Sequence, residues 1–303
     1  MRAHDIDAVL TSLNTIILGK AAVTKLALTC LLAKGHLLIE DLPGVGKTTL
    51  AHSLAKILGL DFQRIQFTSD MLPADIVGVS VFERDSNQFN FHKGPIFSQL
   101  ILSDEVNRAT PRTQSALLES MEERQVSIEG QTYVLPEPFF VIATQNPSNQ
   151  IGTFPLPESQ LDRFLMRLEL GYPNAEAERS LLTGVDRNSL LQKQEAVINS
   201  EQLLQIQNAV TDIHVSSALI DYVQKLLDYS RVSERYHYGL SPRAGLGLVH
   251  AAQAWALIEQ REQVLPEDIQ AVFGSVVGHR LISREGQSAE QLATDILSQV
   301  PIP

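Results

Sequence analysis

The sequence predicts an α/β domain built on a parallel sheet and followed by a smaller all-helical domain. Two observations carry that prediction. From the start to about Leu170, short apolar runs alternate with helical patterns; past Gly171-Tyr172-Pro173, strand-like runs largely vanish and helical periodicity takes over. The candidate strands span 36–40, 62–67, 99–103, 139–144 and 164–170. Several are nearly continuous in apolar residues, as expected of parallel strands buried on both faces between helices.

Ile6, Val9, Leu10, Leu13, Ile16 and Ile17 recur at helical spacing, so the chain opens with an amphipathic helix running into Leu18-Gly19-Lys20. Leu50, Leu54, Ile57 and Leu58 mark a second helix, stopped by Gly59. Two segments, 78–91 and about 124–135, place a polar turn between alternating runs and predict hairpins that interrupt the α/β pattern. In the first of them Phe82, Phe89 and Phe91 alternate with polar residues. Further on, Leu219, Tyr222, Val223, Leu226 and Leu227 repeat at helical intervals, and 244–258 is almost all small or apolar. Tyr172-Pro173-Asn174 is the expected hinge, because proline disfavours helix at the residue before it. The expected domains are therefore 1–171 and 172–303.

Composition narrows the function classes. Lys and Arg total 24 against 35 Asp and Glu, a net charge of −11 and the wrong sign for a non-specific nucleic-acid binder, although a local basic patch stays open. The single cysteine, Cys30, lies in an apolar stretch and reads as a small buried hydrophobe in a reducing compartment. The start carries acids where a signal peptide needs an apolar run, and no stretch reaches the length of a membrane span. A cytoplasmic protein without membrane insertion is the expectation.

The chemistry concentrates after the first strand. Leu37-Leu38-Ile39 leads into Asp41-Leu42-Pro43-Gly44-Val45-Gly46-Lys47-Thr48-Thr49 and then a helix. Strand, glycine turn and helix start are the context of a phosphate-binding loop. Glycines let amide N–H groups converge on phosphate oxygens, and the helix N-terminus adds partial positive charge. Lys47 would bridge the outer phosphates of ATP and Thr48 would hold Mg²⁺. The full pattern expects glycine where this chain has Asp41. A second part is Leu100-Ile101-Leu102-Ser103-Asp104-Glu105, an apolar strand ending in two acids. Asp104 would reach Mg²⁺ and Glu105 would polarise the water that attacks the γ-phosphate. Alone the pair is equally a solvated strand end; after a phosphate loop it gains a partner.

The segment Asp104-Glu105-Val106-Asn107-Arg108-Ala109, followed by 113–123, resembles the second acidic motif and following helix of MoxR-type AAA+ ATPases. These belong to the helix-2-insert group related to magnesium-chelatase motor subunits. The resemblance covers nearly the whole chain. It implies a three-layer P-loop NTPase domain with a helical lid, and it accommodates Asp41, because this family commonly replaces the first loop glycine. It assigns Asn146, after the strand Phe140-Val141-Ile142-Ala143-Thr144-Gln145, as the first sensor, though Asn146-Pro147 is also a routine turn starter. It assigns Arg163, in Pro157-Glu158-Ser159-Gln160-Leu161-Asp162-Arg163, as the finger that reaches a neighbour's ATP; the bland alternative is a pairing with Asp162. It assigns Arg243, in Ser241-Pro242-Arg243, as the second sensor, folding from the lid onto its own subunit's phosphates. Ile17-Leu18-Gly19 and the hinge at Tyr172-Pro173 would hold adenine, with core packing as the alternative. The hairpins would touch substrate or partner in a ring, or simply pack on the sheet. The family further implies a homo-oligomeric ring, a hexamer, a von Willebrand factor A-type partner protein, and chaperone-like maturation of complexes or insertion of metal cofactors. A nucleotide-controlled switch that does no mechanical work, or a metal-chelatase-like motor subunit, remains open as the alternative.

Overall fold

Five apolar runs become five parallel strands of one sheet, and their alternation sorts the core into two layers. The computed structural model describes residues 2–84, 87–146, 152–184 and 187–302. The chain opens with α1 (Arg2–Ile16) and α2 (Ala21–Leu32), then β1 (Leu37–Glu40), α3 (Lys47–Ile57) and β2 (Phe62–Gln66). Short α4 (Pro73–Val77) leads into the antiparallel pair β3 (Gly78–Glu83) and β4 (Gln88–Lys93). Then follow β5 (Leu100–Asp104), α5 (Pro111–Glu123), a second antiparallel pair of β6 (Gln125–Ile128) and β7 (Gln131–Val134), and β8 (Phe140–Gln145). Short α6 (Glu158–Leu161) precedes β9 (Met166–Leu168). The sheet order is β2-β5-β8-β1-β9.

Successive strand residues face opposite sides of a sheet. Leu37 and Ile39, Leu100 and Leu102, and Phe140 and Ile142 accordingly face α1, α2 and α3 in one core. Leu38, Ile101, Val141 and Ala143 face the other way, toward α5 and the β6–β7 pair. Three layers result. α1 buries Ile6, Val9, Leu13, Ile16 and Ile17, as its periodicity predicts, and Cys30 lies fully buried in α2. Burial pushes its thiol pKa well up, which suits an inert core residue.

Everything after β9 is helical: α7 (Ala175–Thr183), α8 (Arg187–Lys193), α9 (Ser200–Val210), α10 (Ser217–Val232), α11 (Pro242–Ile258), α12 (Pro266–Val277) and α13 (Ala289–Gln299). Asn174, Asn199, Ser216, Ser241 and Ser288 each cap the helix that follows with a side-chain oxygen. Buried alanines along α11 let it approach α2 and α12 closely. The first core therefore runs without a break from α/β domain to helical domain.

The last strand is shorter than its apolar run. Arg280, just past α12, donates to the carbonyls of Asp162, Phe164 and Leu165, and His279 bonds the Phe164 carbonyl at 3.0 Å. The carbonyls before Met166 thus find side-chain donors, while the Leu165 N–H reaches the His36 carbonyl just ahead of β1 at 2.8 Å. Both predicted hairpins form, although the turn residues Asp85 and Ser86 lie outside the described residues. Phe91 of β4 stacks on Tyr133 of β7, their ring centroids 4.2 Å apart, so the hairpins support each other. Phe82 and Phe89 make an edge contact at 5.2 Å yet stay exposed, at 46% and 65%.

Two buried histidines set an acid limit on stability. His36 Nδ1 accepts from the Val141 N–H at 3.0 Å, which leaves Nε2–H to donate to the Met121 carbonyl at 3.2 Å. Burial lowers its pKa from 6.5 to about 4, and burial likewise holds His279 well below 6.5. The unfolded chain binds these protons first as pH falls, so the stability is complete above about pH 6.5 and is lost toward pH 4. For His36 the loss is about 3 kcal/mol. Urea melts from pH 7.5 to 4.5 should show a midpoint falling steadily below pH 6.5; a flat profile contradicts this account.

Candidate active site

The phosphate loop leaves the C-terminal end of β1 and turns through Gly44 and Gly46, whose φ angles of 85° and 101° favour glycine. A Cβ at either position would meet nothing within 4 Å, so the loop's inner surface is open. α3 begins at Lys47 with no side-chain cap and no acid in its first turn. Its leading N–H groups therefore point into the cleft without a side-chain acceptor. Lys47 is buried, and its Nζ folds back onto the carbonyls of Asp41 and Leu42, at 2.5 and 3.2 Å, and onto Asn146 Oδ1 at 3.3 Å. Burial lowers its pKa, against the opposing pull of Asp41, Asp104 and Glu105.

Asp41 explains its own departure from glycine. One carboxylate oxygen accepts from the Leu42 N–H at 2.7 Å and the other from the Gly171 N–H at 2.6 Å. Both oxygens face backbone donors, so the charge does not confront an incoming phosphate.

The acids at the end of β5 face the loop. Thr144 on β8 donates to Asp104 Oδ1 at 2.6 Å and accepts from the Glu105 N–H at 2.9 Å. Glu105 has φ 57°, a left-handed conformation uncommon outside glycine, and one that turns its side chain away from the strand. Its carboxylate accepts from Asn146 Nδ2 at 3.1 Å, Gln66 Nε2 at 2.8 Å and Arg108 Nη1 at 3.0 Å. Pro43, Gly44, Gly46, Lys47, Thr48 and Thr49 line one side of a cleft of about 360 Å³; Arg64, Asp104, Glu105 and Asn146 line the other. Pro147, next to the sensor position, lies outside the described residues.

A second cavity of about 400 Å³ shares Gly44, Gly46 and Thr49 with this cleft. Its walls include Ile17, Leu18, Val45, Tyr172, Pro173 and Leu182, so the apolar slot expected for adenine exists beside the loop. Gly19 does not line it. A Cβ there would come within 2.8 Å of Ala177 Cβ, so Gly19 permits close packing of the first helix turn on α7.

Arg163 and Arg243 are elsewhere. Arg163 Nη2 lies 3.1 Å from Glu122 Oε2, and Arg243 Nη2 lies 2.8 Å from Glu122 Oε1. Glu122 sits in the last turn of α5, whose end bonds Lys34 and His36, the residues just before β1. Both arginines therefore stand at the N-terminal edge of the sheet, with the length of β1, roughly 13 Å, between them and the phosphate loop. Arg243 is not on its own subunit's phosphates. The correction has a packing cause: α11 is held against α2 and α12 along its length, which fixes Ser241-Pro242-Arg243 beside α5. The bland pairing of Asp162 with Arg163 is also absent, because Asp162 binds Arg280 Nε at 2.6 Å.

Arg64 and Gln66 join the site without a motif to announce them, and Arg108 and Thr144 join it from within the acidic and first-sensor segments, where no role was expected of them. Arg64 and Gln66, polar residues two apart on β2, are the available signal, since they share the face of an edge strand that lies beside the two acids.

A five-stranded parallel sheet, a glycine loop feeding a helix, two acids and an asparagine at the ends of neighbouring strands, and a helical lid define an AAA ATPase. A family model for ATPases associated with various cellular activities matches residues 36–166, and one for the AAA lid domain matches 228–300. The chain is 37% identical to Chaperone MoxR1 of Mycobacterium tuberculosis, covering 97% of this chain and 80% of that one. It is 42% identical to the uncharacterized protein YeaC of Bacillus subtilis, over 96% and 92% of the two chains. A crystal structure of a protein from Cytophaga hutchinsonii superposes with a TM-score of 0.90 at 36% identity, covering all of this chain and 96% of that one. The chain belongs to the MoxR family of AAA+ ATPases. Among the described residues no helix is long and apolar enough to cross a membrane.

Proposed function

We propose that the chain is a Mg²⁺-dependent ATPase that assembles into a ring, a hexamer, and remodels protein complexes in a chaperone-like role. The observation that carries the reading is the separation of the loop and acids from Arg163 and Arg243 on opposite edges of one sheet. A site so divided is complete only where the arginine edge of one subunit meets the loop edge of the next. In this reading the loop amides and Lys47 hold the β- and γ-phosphates, adenine occupies the slot by Leu18 and Tyr172, and the lid starts at residue 172. Asn146 orients a water, and Glu105 takes its proton as the water oxygen bonds to the γ-phosphorus and the bond to the β-phosphate oxygen breaks. Arg163 and Arg243 of the neighbour offset the charge that develops.

The residues suit the metal. Thr48 offers a hydroxyl and Asp104 a carboxylate, hard oxygen donors of the kind Mg²⁺ prefers. Among the described residues no group of three or more His, Cys, Asp or Glu could hold a metal, which fits an ion that takes its other ligands from phosphates and water. When bound it would neutralise phosphate charge.

A von Willebrand factor A-type protein and a protein client are the proposed partners, in the cytoplasm; the name of the Mycobacterium relative, a chaperone, supports the protein client alone. The net charge of −11 argues against nucleic acid. The test is ATP turnover per subunit measured over a wide range of protein concentration with sedimentation alongside. Turnover should rise as the assembly forms. Full turnover by a monomer would overturn the ring reading.

A further inference from the structure

The geometry points to Arg64 as a cationic arm of the phosphate site that competes with a divalent metal for Asp104. This rests on the reading of the cleft as an ATP site. β2 is the edge strand of the sheet and pairs with β5 in the register Gln66 opposite Asp104. Residues two apart on a strand share a face, so Arg64 and Gln66 both look toward the acids. An arginine on the open side of an edge strand would ordinarily extend into water. Here Arg64 Nη2 instead lies 2.6 Å from Asp104 Oδ2 and 2.7 Å from Gln66 Oε1.

The two oxygens of Asp104 are thus divided between a hydroxyl and a guanidinium. Thr144 donates to Oδ1, and Arg64 holds Oδ2. A divalent cation drawn to Asp104, directly or through a water, meets the positive charge of Arg64 at the same carboxylate. Like charges at that separation repel, and one must withdraw. The Asp104 side chain is largely enclosed, at 11% exposure, whereas that of Arg64 is 48% exposed, so the guanidinium is the partner with room to withdraw. The cleft it would swing into is the one lined by Gly44, Lys47 and Thr48, where the outer phosphates supply a new anion. Arg64 therefore balances Asp104 when no metal is there and balances polyphosphate when one arrives. Gln66 extends the arrangement, because its amide accepts from Arg64 and donates to Glu105.

The experiment measures ATP affinity with Mg²⁺ and with EDTA, and Mn²⁺ affinity without nucleotide, for wild type, Arg64→Ala and Arg64→Lys. In EDTA, Arg64→Ala should weaken ATP binding about tenfold or more, because with neither metal nor guanidinium beside it the Asp104 carboxylate repels the phosphates. With Mg²⁺ the change should stay under about threefold, because the lost phosphate contact is offset by an Asp104 that no longer has to be freed. Mn²⁺ alone should bind Arg64→Ala more tightly than wild type. Arg64→Lys, which keeps the charge, should resemble wild type in all three arms and controls for loss of fold. An unchanged ratio of EDTA to Mg²⁺ affinities in Arg64→Ala, or unchanged Mn²⁺ affinity, overturns the competition. Failure of wild type to bind ATP under both conditions would instead overturn the nucleotide reading, and the Mn²⁺ arm would still decide whether Arg64 guards Asp104.

Discussion

Glu105→Gln is expected to slow ATP hydrolysis by about 10²–10⁴-fold, the usual contribution of a positioned general base. Affinity for ATP should change little, because the loop amides and Lys47 form the cradle and Glu105 lies across the cleft from them. The amide keeps one acceptor oxygen, yet its NH₂ group cannot accept from Gln66 and Arg108 as the second carboxylate oxygen does. The side chain will therefore shift as well as lose its basicity. Phosphate release measured beside a nucleotide titration separates the two effects. Loss of binding in step with loss of turnover would contradict the role of Glu105.

Arg163→Ala should cost about 10³-fold or more in turnover, in the range of arginines that stabilise phosphoryl transfer from a neighbouring subunit. Folding should survive, because among the described residues the ion pair lost is a partly exposed one with Glu122, worth about 1 kcal/mol at most. The more telling result comes from mixing. Arg163→Ala and Glu105→Gln subunits, each inactive alone, can together build an interface in which an intact Glu105 meets an intact Arg163. In a random equal mixture of a head-to-tail assembly, about a quarter of the sites are of this kind. Recovered turnover would show that the two residues act across a subunit boundary; no recovery would mean that both act within one chain.

The strands and the loop were legible because each rests on local chemistry. Leu37-Leu38-Ile39 and Leu100-Ile101-Leu102 announce buried strands by composition, and Gly44 and Gly46 announce a turn that other residues resist. The α11 cap at Ser241 is equally local, while the destination of Arg243 two residues later is not. Where that side chain points depends on how α11 packs on α12 and on α2, the latter a contact between residues about two hundred positions apart in the chain. Arg64 and Gln66 escaped for a related reason. Their relation to Asp104 and Glu105 is a matter of strand register between β2 and β5, and no spacing in the sequence encodes that. Arg280 grips the segment around Arg163 from more than a hundred residues away and carries no motif of its own.

Asp41 bears on how the lid can move. Its carboxylate joins the start of the phosphate loop to the Gly171 N–H, and a hydrogen bond of this charge-assisted kind is worth about 1.5–3 kcal/mol. Such a tie joins residue 171 to the loop, so a lid that turns would do so beyond it, at the expected hinge Tyr172-Pro173-Asn174. If a client pulls on the lid as the proposed function requires, linkage runs both ways: the force would be resisted at the same junction that frames the nucleotide, and strain there would be felt as a change in nucleotide affinity. The residue that breaks the glycine pattern turns the loop from a passive cradle into one end of a lever.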